Sequence, residues 1–251
     1  MKSLRVFDDP ALPGDVNMAV DQALLDEAGA SPDAVPTLRF YRWSPATLSL
    51  GYFQSLDSRH SHVASEILNV VRRTTGGGAI VHDRELTYSL TLPLADRWAA
   101  EHRRLYDQIH QAILTFLGAQ GVFAKTYQAE AERKESSREQ EFLCFLRRSA
   151  GDIVLDGFKV GGSAQRRSAT ALLQHGSILL EKSVYAPELP GIANLSGLDA
   201  GDELMATAIT ESIAKMMGLR PVFLGPYDLF QESILKWRSS RFGNREWTGK
   251  R

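Results

Sequence analysis

The stretch from Val70 to Asp83, Val-Val-Arg-Arg-Thr-Thr-Gly-Gly-Gly-Ala-Ile-Val-His-Asp, constrains this chain more than any other. Gly76, Gly77 and Gly78 stand between an apolar run ending in Arg72 and Arg73 and a second ending in His82 and Asp83. A glycine in ordered structure costs roughly 0.5–1 kcal/mol relative to alanine, so three in succession imply positive φ or the close approach of another group. Two readings follow. Either guanidinium forks and bare amides face one carboxylate or phosphate, or a hairpin has a glycine-rich turn. No Gly-Lys-Ser or Gly-Lys-Thr follows, and Gly78 to Val81 reads as strand, so neither the phosphate loop nor the dinucleotide fingerprint applies.

With 251 residues, 43% of them hydrophobic, the chain can bury one sizeable core, and a single domain over 1–251 is expected. A formal charge of −1 gives no electrostatic reason to expect nucleic acid or an acidic membrane. No apolar run approaches the roughly 18 residues of a membrane span, and Met1-Lys2-Ser3 leads into a mixed strand, so a cytoplasmic protein is expected. Cys144 is the only cysteine, which excludes an internal disulfide and a thiolate zinc site. His60 and His62 flank a serine in a polar segment and read as solvated.

Leu4 to Phe7 predicts a first strand, ended by Pro10, Pro13 and Gly14. Asp15 then caps a helix to about Ala28. Thr37–Trp43 and Thr47–Tyr52 form a plausible hairpin around Ser44-Pro45-Ala46. A short helix over Val63–Leu68 leads to the glycines. Glu85 to Leu92 alternates faultlessly and predicts a half-buried strand. A helix from Glu101 to Leu117 buries Leu105, Ile109, Ala112, Ile113 and Phe116. Residues 128–141 read as a mobile loop. Strands around Asp152–Leu155 and Phe158–Val160 meet at Asp156-Gly157, a hairpin signal, and Gly161–Gln165 and Leu172–Leu180 extend the sheet. Helices near Asp202–Met217 and Gly225–Trp237 precede a polar, basic tail, 238–251.

Taken together these segments resemble the lipoate–protein ligase and octanoyltransferase family, cousins of biotin–protein ligase. The resemblance rests on Asn17-Met18 with Asp21, Trp43-Ser44-Pro45, Ser49-Leu50-Gly51-Tyr52-Phe53-Gln54, Arg72-Arg73 with Gly76-Gly77-Gly78-Ala79 and His82-Asp83, Gly157-Phe158-Lys159-Val160, Gly162-Ser163-Ala164-Gln165 and His175-Gly176-Ser177. It implies an α/β (α+β) fold, a mixed, largely antiparallel sheet flanked by helices, with an acyl tail buried beside the glycines and the lysine-bearing loop. It also implies attachment of octanoyl or lipoyl groups to a lysine of lipoyl carrier domains, in oxoacid dehydrogenase complexes or the glycine cleavage carrier protein.

The single thiol separates the branches. Transfer from octanoyl-acyl carrier protein suits a cysteine nucleophile, whereas an ATP-dependent ligase needs none. Cys144 precedes the Lys159 motif, as in the cysteine-dependent octanoyltransferases, although Leu146-Arg147-Arg148 departs from the small or acidic residues expected there. Cys144 and Lys159 are therefore the expected catalytic pair, Lys159 holding the carbonyl oxygen, favouring the thiolate or taking a proton from the incoming amine. Arg72, Arg73, Gly76, Gly77, Gly78, His82, Gly162, Ser163 and Ala164 are the expected substrate-binding residues, and His175 reads as structural support. No cofactor or metal is expected, with ATP and Mg required only by the ligase alternative; amidotransfer between lipoyl domains is the other. No nucleic acid or membrane partner is expected. Without the family, Cys144 among Phe142, Leu143, Phe145 and Leu146 reads as a small buried hydrophobe.

Overall fold

The computed structural model describes residues 2–128, 141–199, 201–225 and 230–251, so nearly all of the expected 128–141 loop lies outside the described residues. The first half of the chain supplies β1 (Ser3–Leu12), α1 (Gly14–Ala30), β2 (Thr37–Trp43), β3 (Thr47–Leu50), β4 (Asn69–Arg72), β5 (Ile80–His82), β6 (Glu85–Pro93), α2 (Arg97–Ala100) and α3 (His102–Ala119). The second half supplies β7 (Lys125–Thr126), β8 (Ile153–Leu155), β9 (Phe158–Arg167), β10 (Ala171–Leu179), α4 (Ile192–Ser196), α5 (Asp202–Met217), β11 (Arg220–Phe223), α6 (Gln231–Trp237) and α7 (Arg245–Thr248).

Eight strands form one sheet in the order β11-β1-β2-β6-β10-β9-β8-β7. The β11–β1 and β1–β2 pairs are parallel, and the remaining pairs are antiparallel. A second sheet, β4-β3-β5, stands beside it. This is the mixed, largely antiparallel α/β architecture that the family resemblance implies. Helices α3 and α5 cover one face of the large sheet, burying Leu105, Ile109, Ile113, Met205 and Ile209 against Leu86, Tyr88, Leu90 and Leu92. On the other side α1 buries Met18, Ala19, Leu25 and Ala28.

Several expectations give way to tertiary context. Strand β6 is buried on both faces. Two of the three hydroxyls on its polar side find partners: Trp43 Nε1 donates to Thr87 Oγ1 at 2.8 Å, and Ser89 Oγ donates to Asp21 Oδ1 at 2.8 Å, while Thr91 Oγ1 is buried without one. The expected hairpin of β2 with β3 does not form. Both edges of β2 are taken, by β1 and β6, so β3 joins the second sheet between β4 and β5. Strand β1 runs past Pro10, where a register shift between Asp8 and Ala11 spares the ladder the missing donor. Asp15 lies in the first turn of α1 rather than at its cap, which is Pro13. Val63–Leu68 holds only a 3₁₀ turn over Val63–Ser65. β11 was not legible in the sequence, and α6 starts at Gln231.

The predicted tail is folded onto the body. Phe242 is buried, Trp247 Nε1 donates to the carbonyl of Arg72 at 3.0 Å, and Leu56 N donates to that of Arg251 at 2.9 Å.

Candidate active site

The glycine stretch is a seat for the cysteine. Ala79 N donates to the Phe142 carbonyl at 2.9 Å, and Cys144 N donates to the Ala79 carbonyl at 2.7 Å, so two short segments lie side by side. A Cβ on Gly78 would stand 2.9 Å from Cys144 N and 3.0 Å from its Cα, closer than real Cβ atoms come or at that limit. Gly77, at φ 92°, would point one at the sulfur from 3.9 Å. A Cβ on Gly51 would meet the Gly77 carbonyl at 2.0 Å. Close approach of backbone to backbone thus explains Gly78 and Gly51, and left-handed φ explains Gly77, whereas a Cβ on Gly76 would meet only Phe53 at 3.9 Å. Arg73 ties the loop together: its guanidinium donates to the carbonyls of Ser49, Gly76 and Gly78 at 2.7, 3.2 and 2.8 Å.

Above this seat, Lys159 Nζ lies 3.8 Å from Cys144 Sγ and 2.8 Å from Asp152 Oδ2. The β8–β9 hairpin delivers the lysine. Its turn residues Asp156 and Gly157 take φ 48° and 81°, the left-handed pair that an Asp-Gly turn supplies. Burial alone would push the Lys159 ammonium toward neutrality. The negative charge it faces at Cys144 and Asp152 outweighs that and leaves its pKa raised. Gly162 makes room, because a Cβ there would fall 2.5 Å from Lys159 Cε and 2.8 Å from Nζ. Asp152 is anchored in turn by the Ser149 amide at 2.7 Å. The sulfur is half-buried.

Cys144 and Lys159 open on a cavity of about 260 Å³ walled by Met18, Tyr41, Trp43, Ile80, Tyr106, Phe145 and Gly176, with Ser149, Asp152 and Ser177 among its polar lining. Trp43 stacks on His82 at a centroid separation of 3.7 Å. Arg73 donates to Ser49 Oγ at 2.6 Å, Ser49 reaches His82 Nε2 at 2.6 Å, and His82 Nδ1 meets Glu85 Oε1 at 2.6 Å. The arginine can only donate and the carboxylate only accept, so the arrangement that gives the Ser49 proton an acceptor in this chain runs from Arg73 to Glu85 through a neutral imidazole. Burial pushes its pKa down, against the pull of Glu85. On the opposite wall His175 Nε2 pairs with Thr75 Oγ1 at 2.8 Å, and Nδ1 lies 3.5 Å from Asp21. Burial acts to raise the Asp21 pKa, but His175, Arg39 and Ser89 hold the carboxyl below its usual range.

The structure gathers Cys144, Lys159, Arg73, Gly76, Gly77, His82, Gly162, Ser163 and Ala164 around this cavity. Gly78 lies beneath Cys144 and does not line it. Arg72 is turned away. Its guanidinium donates to the carbonyls of Gly51 (3.1 Å), Gln54 (2.5 Å) and Thr248 (2.6 Å), because β4 alternates and only one of two adjacent arginines can face inward. Arg72, expected among the substrate-binding residues, therefore does not line this cavity. His175, read as support, lines the cavity. The arginines after Cys144 turn to backbone carbonyls, Arg147 to Glu141 and Arg148 to Gly157. Sequence reading did not place Asp152, Trp43 or Tyr106 in the site, although Trp43 stood in the motifs that carry the resemblance and a buried lysine near a thiol needs a counter-charge such as Asp152. His60 pairs with Glu66, and His62 with Ser65 and Glu188. Among the described residues no cluster of three His, Cys, Asp or Glu could hold a metal, and no helix is long and apolar enough to cross a membrane.

The chain has known relatives. Residues 13–210 match the lipoyl protein ligase A/B catalytic domain, and the chain belongs to that family. It is 38% identical over 185 residues to octanoyltransferase LipM of Geobacillus kaustophilus, which covers 70% of this chain and 65% of that one. The match thus spans less than two thirds of that relative. Octanoyltransferase LipM of Clostridioides difficile is 30% identical over 278 aligned positions, covering all of both chains. In fold, the chain superposes with TM-score 0.73 on a structure described as a bi-partite lipoate protein ligase and its E2 lipoyl domain from Thermoplasma acidophilum, at 16% identity and covering 99% of this chain and 97% of that one.

Proposed function

We propose that this chain is an octanoyltransferase of protein lipoylation, moving an octanoyl group from a carrier-protein thioester, through Cys144, to a lysine of a lipoyl carrier domain. The observation that carries it is the 3.8 Å contact between the chain's only thiol and a buried, charged lysine beside an apolar cavity. The two relatives named octanoyltransferase LipM point the same way.

In the first half-reaction the Cys144 thiolate attacks the thioester carbonyl carbon. A new C–S bond forms, the donor's C–S bond breaks, and the departing thiolate takes a proton from solvent. The Lys159 ammonium faces both the nucleophile and the oxyanion, and the charge it meets at Cys144 and Asp152 raises its pKa and keeps it protonated as the thiolate attacks. In the second half-reaction the neutral amine of the acceptor attacks the acyl-enzyme. A C–N bond forms, the C–S bond to Cys144 breaks, the amine's proton passes to solvent and Cys144 leaves as the thiolate it began as. Once Cys144 is acylated its charge is gone and Asp152 alone faces Lys159, so the lysine acts as the charged partner of sulfur and oxyanion in the first half-reaction. Arg73, already bonded to the loop carbonyls, contributes its charge and the shape of the seat.

Transfer between thioester and amine needs no nucleotide, so neither ATP nor Mg enters this route. In a turnover assay with octanoyl-acyl carrier protein and a lipoyl domain, the wild-type chain should transfer without ATP and Cys144→Ser should not. Normal transfer by Cys144→Ser, or transfer only with free acid and ATP, would overturn the proposal in favour of ligase chemistry.

A further inference from the structure

The carboxylate that holds Lys159 is itself aimed by a hydrogen-bonded chain with a single direction. Gln165 Nε2 donates to the His102 carbonyl at 2.7 Å and to Gln174 Oε1 at 2.8 Å, which leaves Gln174 Nε2 to donate to Tyr88 Oη at 2.9 Å. The phenol proton then goes to Ser163 Oγ at 2.6 Å, and the serine proton to His110 Nε2 at 2.6 Å. At the far end His110 Nδ1 lies 2.7 Å from the Gly151 carbonyl, which can only accept. Giving each hydroxyl proton an acceptor within the chain selects that one polarity, and His110 is then a neutral imidazole of fixed tautomer. Burial lowers its pKa in keeping with this, against the pull of the Gly151 carbonyl and Asp152.

The carbonyl His110 grips belongs to the peptide that leads into Asp152. The N–H of that peptide donates to the Ser149 carbonyl at 3.0 Å, and the Asp152 carbonyl accepts from Tyr127 N at 2.7 Å. Gly151 takes φ 91°, with Tyr106 so close that a Cβ would stand 2.9 Å from its ring. Tyr106 and His110 sit one turn apart on α3, their rings 4.3 Å between centroids. One helix face thus clamps the 149–152 turn.

We infer that His110 is a positioning residue: through the Gly151–Asp152 peptide it sets the Asp152 carboxylate that orients the Lys159 ammonium on the Cys144 sulfur. The inference rests on the thioester reading for the use of that pair, but its test does not. Iodoacetamide alkylation of Cys144 followed against pH in the full-length chain reads thiolate formation with no donor or acceptor present. His110→Phe should move the midpoint of that profile upward by about one unit and lower kcat for octanoyl transfer roughly tenfold with KM within twofold. His110→Asn, whose amide can still donate to Gly151, should keep the wild-type midpoint. A folded His110→Phe chain with an unmoved midpoint and unchanged kcat overturns the inference, as does an Asn variant that behaves like Phe. If His110→Phe does not fold, Ser163→Ala frees the ring at Nε2 and should shift the midpoint in the same direction; no shift there also overturns it. Loss of the thioester reading would appear instead as normal transfer by Cys144→Ser, with the alkylation profiles still informative.

Discussion

At the scale of single residues, charge decides the chemistry. An ammonium buried against a carboxylate and a sulfur is held on, so removing it should remove electrostatic stabilisation rather than a proton carrier. Lys159→Met is expected to slow acylation of Cys144 by about 10²-fold, the loss typical of one preorganised donor. Between pH 7 and 9 the wild-type rate should show no decline attributable to Lys159; stopped-flow acylation measures both. His82 and His110 have folded-state pKa values depressed by burial, and Asp21 is held low by His175, Arg39 and Ser89 against the penalty of its own burial. A depressed value means stability present above the unfolded pKa and lost as pH falls through the folded one. The two histidines thus withdraw stability first, below about pH 6.5, and Asp21 only below about 3.9. Melting temperature should be level from pH 8 to 7 and fall from 6.5 to 5. A Tm that rises over that lower interval would contradict the directions assigned to both rings.

Among the elements, what the sequence disclosed was what repeats or turns. The alternation of Glu85–Leu92, the Asp156-Gly157 hairpin and the stripe of α3 are local patterns, and each element stands where expected. The seat of Cys144 was half-legible. Three glycines announced close approach or positive φ; Gly78 meets the backbone of residues 142–144, brought from across the chain, and Gly77 takes φ 92°. Arg72 and Arg73 looked equivalent, and only the alternation of β4 and the docking of 238–251 separate them. His110 was invisible because Ile109, Ile113 and Phe116 already explained its helix, and its partners Gly151 and Ser163 are distant in sequence. Two glycine substitutions probe the element scale. Gly162→Ala places a methyl where Lys159 Cε now lies, so activity should fall by an order of magnitude or more while the fold loses about 1–3 kcal/mol, read by urea unfolding and turnover. Gly78→Ala meets backbone instead of a flexible side chain and should cost at least as much stability, displacing the sulfur with it.

For the molecule as a whole, the cysteine segment belongs to neither sheet alone. Leu143 and Phe145 pack with Leu48, Leu50 and Val81 of the small sheet, while Lys159 and Asp152 come from the far edge of the large one. The site forms where the two sheets meet, and the C-terminal segment braces that junction through Arg72. Arg72→Ala removes a buried cation from carbonyls in two separate segments and should lower unfolding stability by about 2–3 kcal/mol, with kcat less affected than Tm. The central claim, that the acyl group is carried on one sulfur, is tested most directly by intact-protein mass spectrometry after mixing with octanoyl-acyl carrier protein and no ATP. A single octanoyl adduct that maps to Cys144 and disappears when a lipoyl domain is added is the predicted result. An unmodified chain, with octanoyl appearing on the lipoyl domain all the same, would contradict it.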